Sequence, residues 1–468
     1  MVKLSRFTHN YDLKDAIALY HSLRMKPVYL SKEKYESLQT WLASSLSDKL
    51  NNIPQEIERE VQELLKYKII TKVEDEDEDE KVLEFIKSKI PNPAINVCYM
   101  ILSEQCNIAC KYCFLGNNNE KKRAHFLTEN MSKKTADEAL EFFINQIKLS
   151  GIDPEENKPV LIFYGGEPLV NFEVLEYISN KVNDLRVIEP YVKNMELSLI
   201  TNGLLLTRER AQILKKLGIS IGISIDGFTE ETNAMRVDKS GNPIYTKLME
   251  TLKMCKEEEV PVSLSVTLTE ETVKDTKNVL TLVNEYGIKG FGFNIMMSSD
   301  TFILPQSYNE AAAQFIIDEF LELRKLGIYE DRIMRKLKSF SKAQVYFSDC
   351  AATAGGQIVI APNGQVGICH GCLHDKKYFV SNIKEKSFDA RKNETFIEWS
   401  KRTPINNKEC EPCPALGICG GGCPINAMYL KEGNTIHSID ERFCVHAKKT
   451  LEFLINDLYR VILENKGE

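Results

Sequence analysis

Residues 101–116 read ILSEQCNIACKYCFLG. Cys106, Cys110 and Cys113 form a Cys-x3-Cys-x2-Cys set just after VCYMILS, a short apolar run with the marks of a buried strand. Three thiolates on one loop can hold three irons of a [4Fe–4S] cube and leave the fourth open. A structural zinc would want four ligands in paired Cys-x2-4-Cys knuckles, and no fourth ligand lies nearby in the sequence.

Outward from this loop, from about 95 to 330, strand-like runs alternate with helix-like ones. The strands are VCYMILS, PVLIFYGG, MELSLITNG, ISIGISIDG, VPVSLSVTLT and GFGFNIM. Helical stretches such as KKTADEALEFFINQIKLSG, ended by Gly151, and FEVLEYISNKV lie between them. Such alternation implies an α/β fold with a parallel sheet and right-handed crossovers. Six units are too few for an eight-unit barrel, so an open, partial (β/α)6 barrel is expected. Its ligand belongs at the carboxyl ends of the strands.

Motifs fall at those ends: GGEP (Gly165, Gly166, Glu167, Pro168), TNG (Thr201–Gly203) and SIDG (Ser224–Gly227). With the cysteine triplet and the aromatic Tyr112 inside it, they make the chain resemble the radical S-adenosylmethionine (radical SAM) superfamily. The resemblance implies reductive cleavage of S-adenosylmethionine to a 5′-deoxyadenosyl radical that abstracts a hydrogen atom from substrate. It also implies that the GGEP backbone contacts the methionine amino group, where close approach would demand glycine. Ser224 is the implied contact for the cofactor carboxylate. Arg236 is a second candidate for that group, with a surface helix charge as its alternative reading. Asp226 faces substrate or caps the following turn.

From about 345 onward, eight cysteines crowd into a stretch rich in glycine and proline. It reads as a metal-organised domain with little core of its own. The pattern Cys350-x13-Gly364-x4-Cys369, then Cys410-x2-Cys413-x5-Cys419-x3-Cys423, then Cys444 resembles the SPASM domain of radical SAM enzymes. That resemblance implies two auxiliary [4Fe–4S] clusters, three in all. It gives Cys410, Cys413, Cys419 and Cys444 to the distal one, and Cys350, Cys369 and Cys423 to the one nearer the active site. The proximal set is one ligand short. Cys372, a cysteine of the substrate, or water or histidine could fill the vacancy. Cys98 and Cys255 read as packing residues. His370 and His374, which flank Cys372, read as surface residues rather than ligands.

Residues 1–90 contain no cysteine and no glycine. Short strands (FTHNY, IALYHS, PVYLS), two amphipathic helices near 31–49 and 54–66, and a strand, YKIITK, resemble the winged-helix-like domains that grip the leader of a precursor peptide. The acidic run Glu74–Glu80 reads as a solvated linker face marking a boundary. Three domains are therefore expected, at 1–90, 95–330 and 345–468.

Of the 468 residues, 43% are hydrophobic and 27% charged, enough for a sizeable core. The net charge of −7, with scattered lysines and arginines, argues against a nucleic-acid surface. No apolar run approaches membrane-spanning length, and the first residues lack a signal peptide's apolar core, so a cytoplasmic protein is expected. There, thirteen cysteines speak for metal rather than disulfides. The expected function is a peptide maturase of the sactipeptide or ranthipeptide type, joining a cysteine sulfur to a carbon of another residue. Its partners would be a precursor peptide with a leader and a reductase or flavodoxin-type electron donor. An anaerobic sulfatase-maturating type of enzyme and a non-catalytic iron–sulfur redox carrier are the alternatives.

Overall fold

The computed structural model of the chain describes residues 2–45, 49–72, 78–115, 129–275, 279–298 and 303–465. Five strands come first: β1 (Val2–Leu4), β2 (Thr8–Asp12), β3 (Ala16–His21), β4 (Pro27–Ser31) and β5 (Ile70–Lys72). β2, β3 and β4 form an antiparallel sheet, and β1 pairs with β5. Ser31 caps helix Lys32–Ala43 by accepting from the Lys34 amide. That helix and Glu58–Lys66 cover one face of the sheet, where Leu19, Val28 and Leu30 meet Leu38, Trp41, Val61 and Leu64.

The other face is covered too. Ala18 and Tyr20 pack against Phe340, Ala415, Ile418 and Leu451, far along the chain. Burial on both sides explains why IALYH in β3 is an unbroken run with little alternation. Glu74–Asp77 lie outside the described residues, but Glu78–Lys87 is a helix rather than a solvated linker. Its Val82, Leu83 and Ile86 are buried with Ile405 and Leu416, and Asp79 accepts from the Ser5 hydroxyl at 2.6 Å.

The central sheet contains β6 (Val97–Ser103), β7 (Val160–Gly165), β8 (Glu196–Thr201), β9 (Ile219–Ile225), β10 (Val262–Leu268), β11 (Gly290–Ile295) and β12 (Tyr329–Glu330), all parallel. Three further strands, β13 (Gln357–Ile360), β14 (Gln365–Gly367) and β15 (Phe379–Asn382), extend it in the order β12-β11-β10-β9-β8-β7-β6-β13-β14-β15. The sheet is open, with β12 and β15 at its ends. On each inner strand alternate residues, such as Ile219, Ile221, Ile223 and Ile225, are buried in one core with the crossover helices. The residues between them stay partly exposed: Ser198, Gly222, Ser224, Ser265, Thr267, Gly292 and Asn294. Small side chains there leave room on the open face.

The region after residue 345 shares this core. β13 pairs in parallel with β6, Ile358 opposite Cys98, and Ile360, Ile368, Phe396 and Trp399 belong to the same apolar cluster as the barrel strands. Helix Glu441–Glu464 lies along Gln306–Lys325, where Arg324 makes two bonds to Asp457 at 2.7 and 2.9 Å. A side chain at Gly417 would run into the carbonyl oxygen of Ser22, so the N-terminal sheet meets the cysteine-rich loop backbone to backbone. Gly417→Val is therefore expected to cost about 1–3 kcal/mol and to expose the N-terminal sheet to trypsin. An unchanged melting temperature and digestion pattern would show that this contact does not hold the sheet in place.

Candidate active site

The cysteine loop leaves β6 at Ser103 and is gripped by the ends of the three strands beside it. The Gly166 amide donates to Ser103 O at 2.9 Å and the Glu167 amide to Gln105 O at 2.7 Å. A Cβ at Gly165 would run into Ser103 O, and one at Gly166 into Gln105 O. The glycines are thus required by the close approach of the cysteine loop itself. The Glu167 carboxylate turns inward, accepting from the Thr201 hydroxyl at 2.7 Å and from the amides of Asn202 and Leu169 at 2.8 and 3.0 Å. Burial raises its pKa, and these donors pull it back. Asn202 then reaches the loop, its Nδ2 lying 2.8 Å from Asn107 Oδ1 and 3.8 Å from Cys106 Sγ. On the far side, the amides of Ala109 and Lys111 donate to Val237 O and Met235 O at 2.8 and 2.9 Å.

Arg236 is not a surface helix charge. It lies in a turn, 5% exposed, with Nε 2.6 Å from Asp226 Oδ1 and its guanidinium over the Tyr112 ring. Its Nη1 stands 3.9 Å from Cys110 Sγ. Asp226 also accepts from the Tyr112 hydroxyl, so its carboxylate orients two groups beside the cysteine loop; the following turn is tied by Thr229, Thr232 and Asn233 instead. Ser224 projects from β9 at a half-buried position beside Ser265 of β10.

The cysteines fall into three sets by the charge each thiol feels from its neighbours. Cys106 and Cys110, pushed up to about 11 and about 12 mainly by burial, are each raised further by Cys113. Cys369 is raised first by a hydrogen bond with Cys372; Cys350 and Cys423, raised mainly by burial, both feel Cys369. Cys444, again raised mainly by burial, feels Cys419, Cys410 and Cys413, and Cys410 feels Cys419 and Cys413. Cys372 has no exposed surface. Cys98 and Cys255 are buried in the apolar core. The described residues gather no three metal-binding side chains tightly enough for one ion. Donor sets made of cysteine sulfur alone fit iron–sulfur cubes, which cysteine thiolates hold.

His370 is half-buried among aromatic rings. It stacks on Tyr99 with ring centres 4.4 Å apart, and meets Tyr164 at 4.9 Å and Phe114 at 6.0 Å. It thus stands between the first cysteine set and the Cys369 set, kept neutral by burial, which lowers its pKa to about 4. His374 lies near Asp375 and the Tyr429 ring. Sequence reasoning missed His370 and the reach of Asn202 because both depend on contacts between distant segments. The N of TNG was the available signal for Asn202.

The sequence profile of the Radical SAM superfamily matches residues 100–283, which span the loop and its clamp. The chain carries a radical SAM domain. Such a domain implies S-adenosylmethionine and a [4Fe–4S] cluster. Over 386 residues, 79% of this chain and 73% of the relative, the sequence is 24% identical to the radical SAM cyclopropyl synthase TigE of Paramaledivibacter caminithermalis. It is 24% identical to a cysteine-type anaerobic sulfatase-maturating enzyme of Clostridium perfringens over 71% of this chain and 89% of that enzyme. The solved structure of native anSMEcpe with bound AdoMet covers 78% of this chain and 99% of its own, with a TM-score of 0.63 at 20% identity; the two share a fold. Among the described residues no helix is long and apolar enough to cross a membrane.

Glu167→Gln tests the clamp. The amide cannot accept all three hydrogen bonds as the carboxylate does, so a loss of about 2 kcal/mol in stability is expected. Weaker S-adenosylmethionine binding by calorimetry should accompany it, because the loop that faces the cofactor loosens.

Proposed function

We propose that this chain is a radical SAM maturase that installs a crosslink in a ribosomally made precursor peptide, a thioether from a cysteine sulfur to a carbon of another residue. The observation that carries the reading is the clamp of the Cys106–Cys113 loop by the GGEP strand end, inside the stretch that matches the radical SAM profile. In this reading Cys106, Cys110 and Cys113 hold the cluster that binds S-adenosylmethionine, whose reductive cleavage supplies the radical. Gly165, Gly166, Glu167 and Pro168 fix that loop, and Tyr112, Ser224 and Arg236 face the cofactor. Cys410, Cys413, Cys419 and Cys444 hold the distal auxiliary cluster. Cys350, Cys369, Cys372 and Cys423 hold the proximal one. The hydrogen bond between Cys369 and Cys372 and the complete burial of Cys372 support it as fourth ligand over a cysteine of the substrate.

The peptide reading draws on two features. The open face of the sheet carries small, half-buried residues beside Tyr99, Tyr164 and His370. The N-terminal region, 1–90, has a sheet whose outer strand β2 is the more exposed of its two edges, suited to pairing with a leader as an added strand. A reductase or flavodoxin-type protein would supply electrons. A second reading, oxidation of a cysteine or serine side chain, is favoured by the likeness to the sulfatase-maturating enzyme.

Three measurements test this. Replacing Cys106, Cys110 and Cys113 with alanine should leave about two-thirds of the iron, on four irons per cluster, and abolish 5′-deoxyadenosine formation with dithionite. Cleavage at the normal rate would refute the assignment. Cys372→Ala should lower the iron content or shift the EPR signal of the proximal cluster, whereas full iron and an unaltered spectrum would exclude Cys372 as ligand. Incubated with a cysteine-containing precursor peptide as substrate, the enzyme should remove two hydrogen atoms and protect one cysteine from iodoacetamide. A hydrazide-reactive aldehyde would instead establish the side-chain oxidation.

A further inference from the structure

Helix Asp331–Lys342 follows β12 and enters the space between the two C-terminal cysteine sets. Its Lys336 has no exposed surface, an unusual place for an ammonium group. The Nζ donates to the backbone oxygen of Cys419 at 3.0 Å and of Ile418 at 3.4 Å, and lies 3.5 Å from Asp349 Oδ1. Asp349 directly precedes Cys350. One side chain therefore touches a residue of the distal set and the neighbour of a residue of the proximal set. The two loops are also joined backbone to backbone: the Asp349 amide donates to Gly420 O at 2.8 Å and the Tyr346 amide to Gly417 O at 2.7 Å.

Arg332 is 2.9 Å from Asp349 Oδ2, Arg335 donates to Asp349 O at 2.8 Å, and Arg335 also pairs with Asp331. Three cations thus gather around Asp349 and Asp331, beside the buried Glu330 that caps the same helix. Two carbonyls and one carboxylate could be satisfied by a neutral donor at less desolvation cost, so an ammonium buried here answers to a larger negative charge nearby.

We propose that Lys336 is a positioning residue for electron transfer: a fixed cation that ties the distal and proximal cluster loops together and favours reduction of the distal cluster. This rests on the reading that Cys410, Cys413, Cys419 and Cys444 hold that cluster. Reduction adds an electron to an already anionic, thiolate-bound cube, and a cation held within the low-dielectric interior stabilises the added charge.

The test is potentiometric titration of the reconstituted full chain, followed by EPR. In Lys336→Met the distal midpoint should fall by at least a tenfold shift of the reduction equilibrium, about 59 mV for one electron, with iron content unchanged. Lys336→Arg should keep the wild-type midpoint. A methionine variant with full iron and an unmoved midpoint overturns the proposal, as does an arginine variant shifted as far as the methionine one. Should Lys336→Met lose its iron, Asp349→Asn decides: removing an anion from the same pocket should raise the midpoint, and an unmoved or lowered one overturns the proposal. Wild-type protein with about eight irons instead of about twelve, and no distal signal, would instead remove the cluster assignment itself.

Discussion

The grip of the GGEP backbone on the cysteine loop is the constraint from which the site is built. Two amides, of Gly166 and Glu167, are spent on carbonyls of Ser103 and Gln105. The approach is close enough that neither Gly165 nor Gly166 can carry a Cβ. One residue later the Glu167 carboxylate reaches sideways to Thr201 and Asn202, and Asn202 returns to the loop beside Cys106. Three strand ends and one loop are thereby closed into a ring of hydrogen bonds in a buried setting, where leaving any one unmade costs more than making it gains. A loop with three potential cluster ligands is held before any metal arrives, so less ordering remains to be done on binding.

Two further groups of buried polar side chains stand beside cysteines, one at the same loop and one between the later cysteine sets. Asp226, Arg236 and Tyr112 bring a carboxylate, a guanidinium and a phenol together behind Cys110. Lys336, Arg332, Arg335 and Asp349 lie between the later cysteine sets. Both groups are expensive to bury and both stand beside sulfur. Buried ions that served only stability could be replaced by apolar packing at little loss. Their location next to thiols that would become anionic on binding metal gives them an electrostatic task.

The relative placement of the cysteine sets follows from the sheet. Because β13 pairs with β6, the strand that leads into the Cys106 loop is adjacent to the one that opens the Cys369 region. The turn carrying His370 then lies across Tyr99 of β6 and Tyr164 of β7. Aromatic groups line this side of the open face, while serine, threonine, glycine and asparagine line β8 to β11. The N-terminal sheet closes over the third cysteine set through Ala415, Ile418 and Gly417. No part of the cysteine-rich region could keep its shape without a neighbour from another part of the chain.

Local chemistry was legible in the sequence. Hydrophobic runs of strand length, punctuated by glycine and asparagine, located all six strands from β6 to β11, because a strand buried by crossover helices must be apolar whatever its partners are. Cysteine spacing was informative where it stood beside a strand end, as with Cys106, Cys110 and Cys113 after β6. What the tertiary structure decided was everything that depends on contact between distant segments. Backbone pairing leaves no mark on side chains, so the parallel union of β13 with β6 was invisible, as was the core that the region after residue 345 shares with the sheet. His370 read as a surface group because a lone polar residue carries no sign of its partner. The glycines of GGEP, expected to make room for a ligand, also make room for carbonyls of the chain itself. A sequence states that space is needed; only the fold states what fills it.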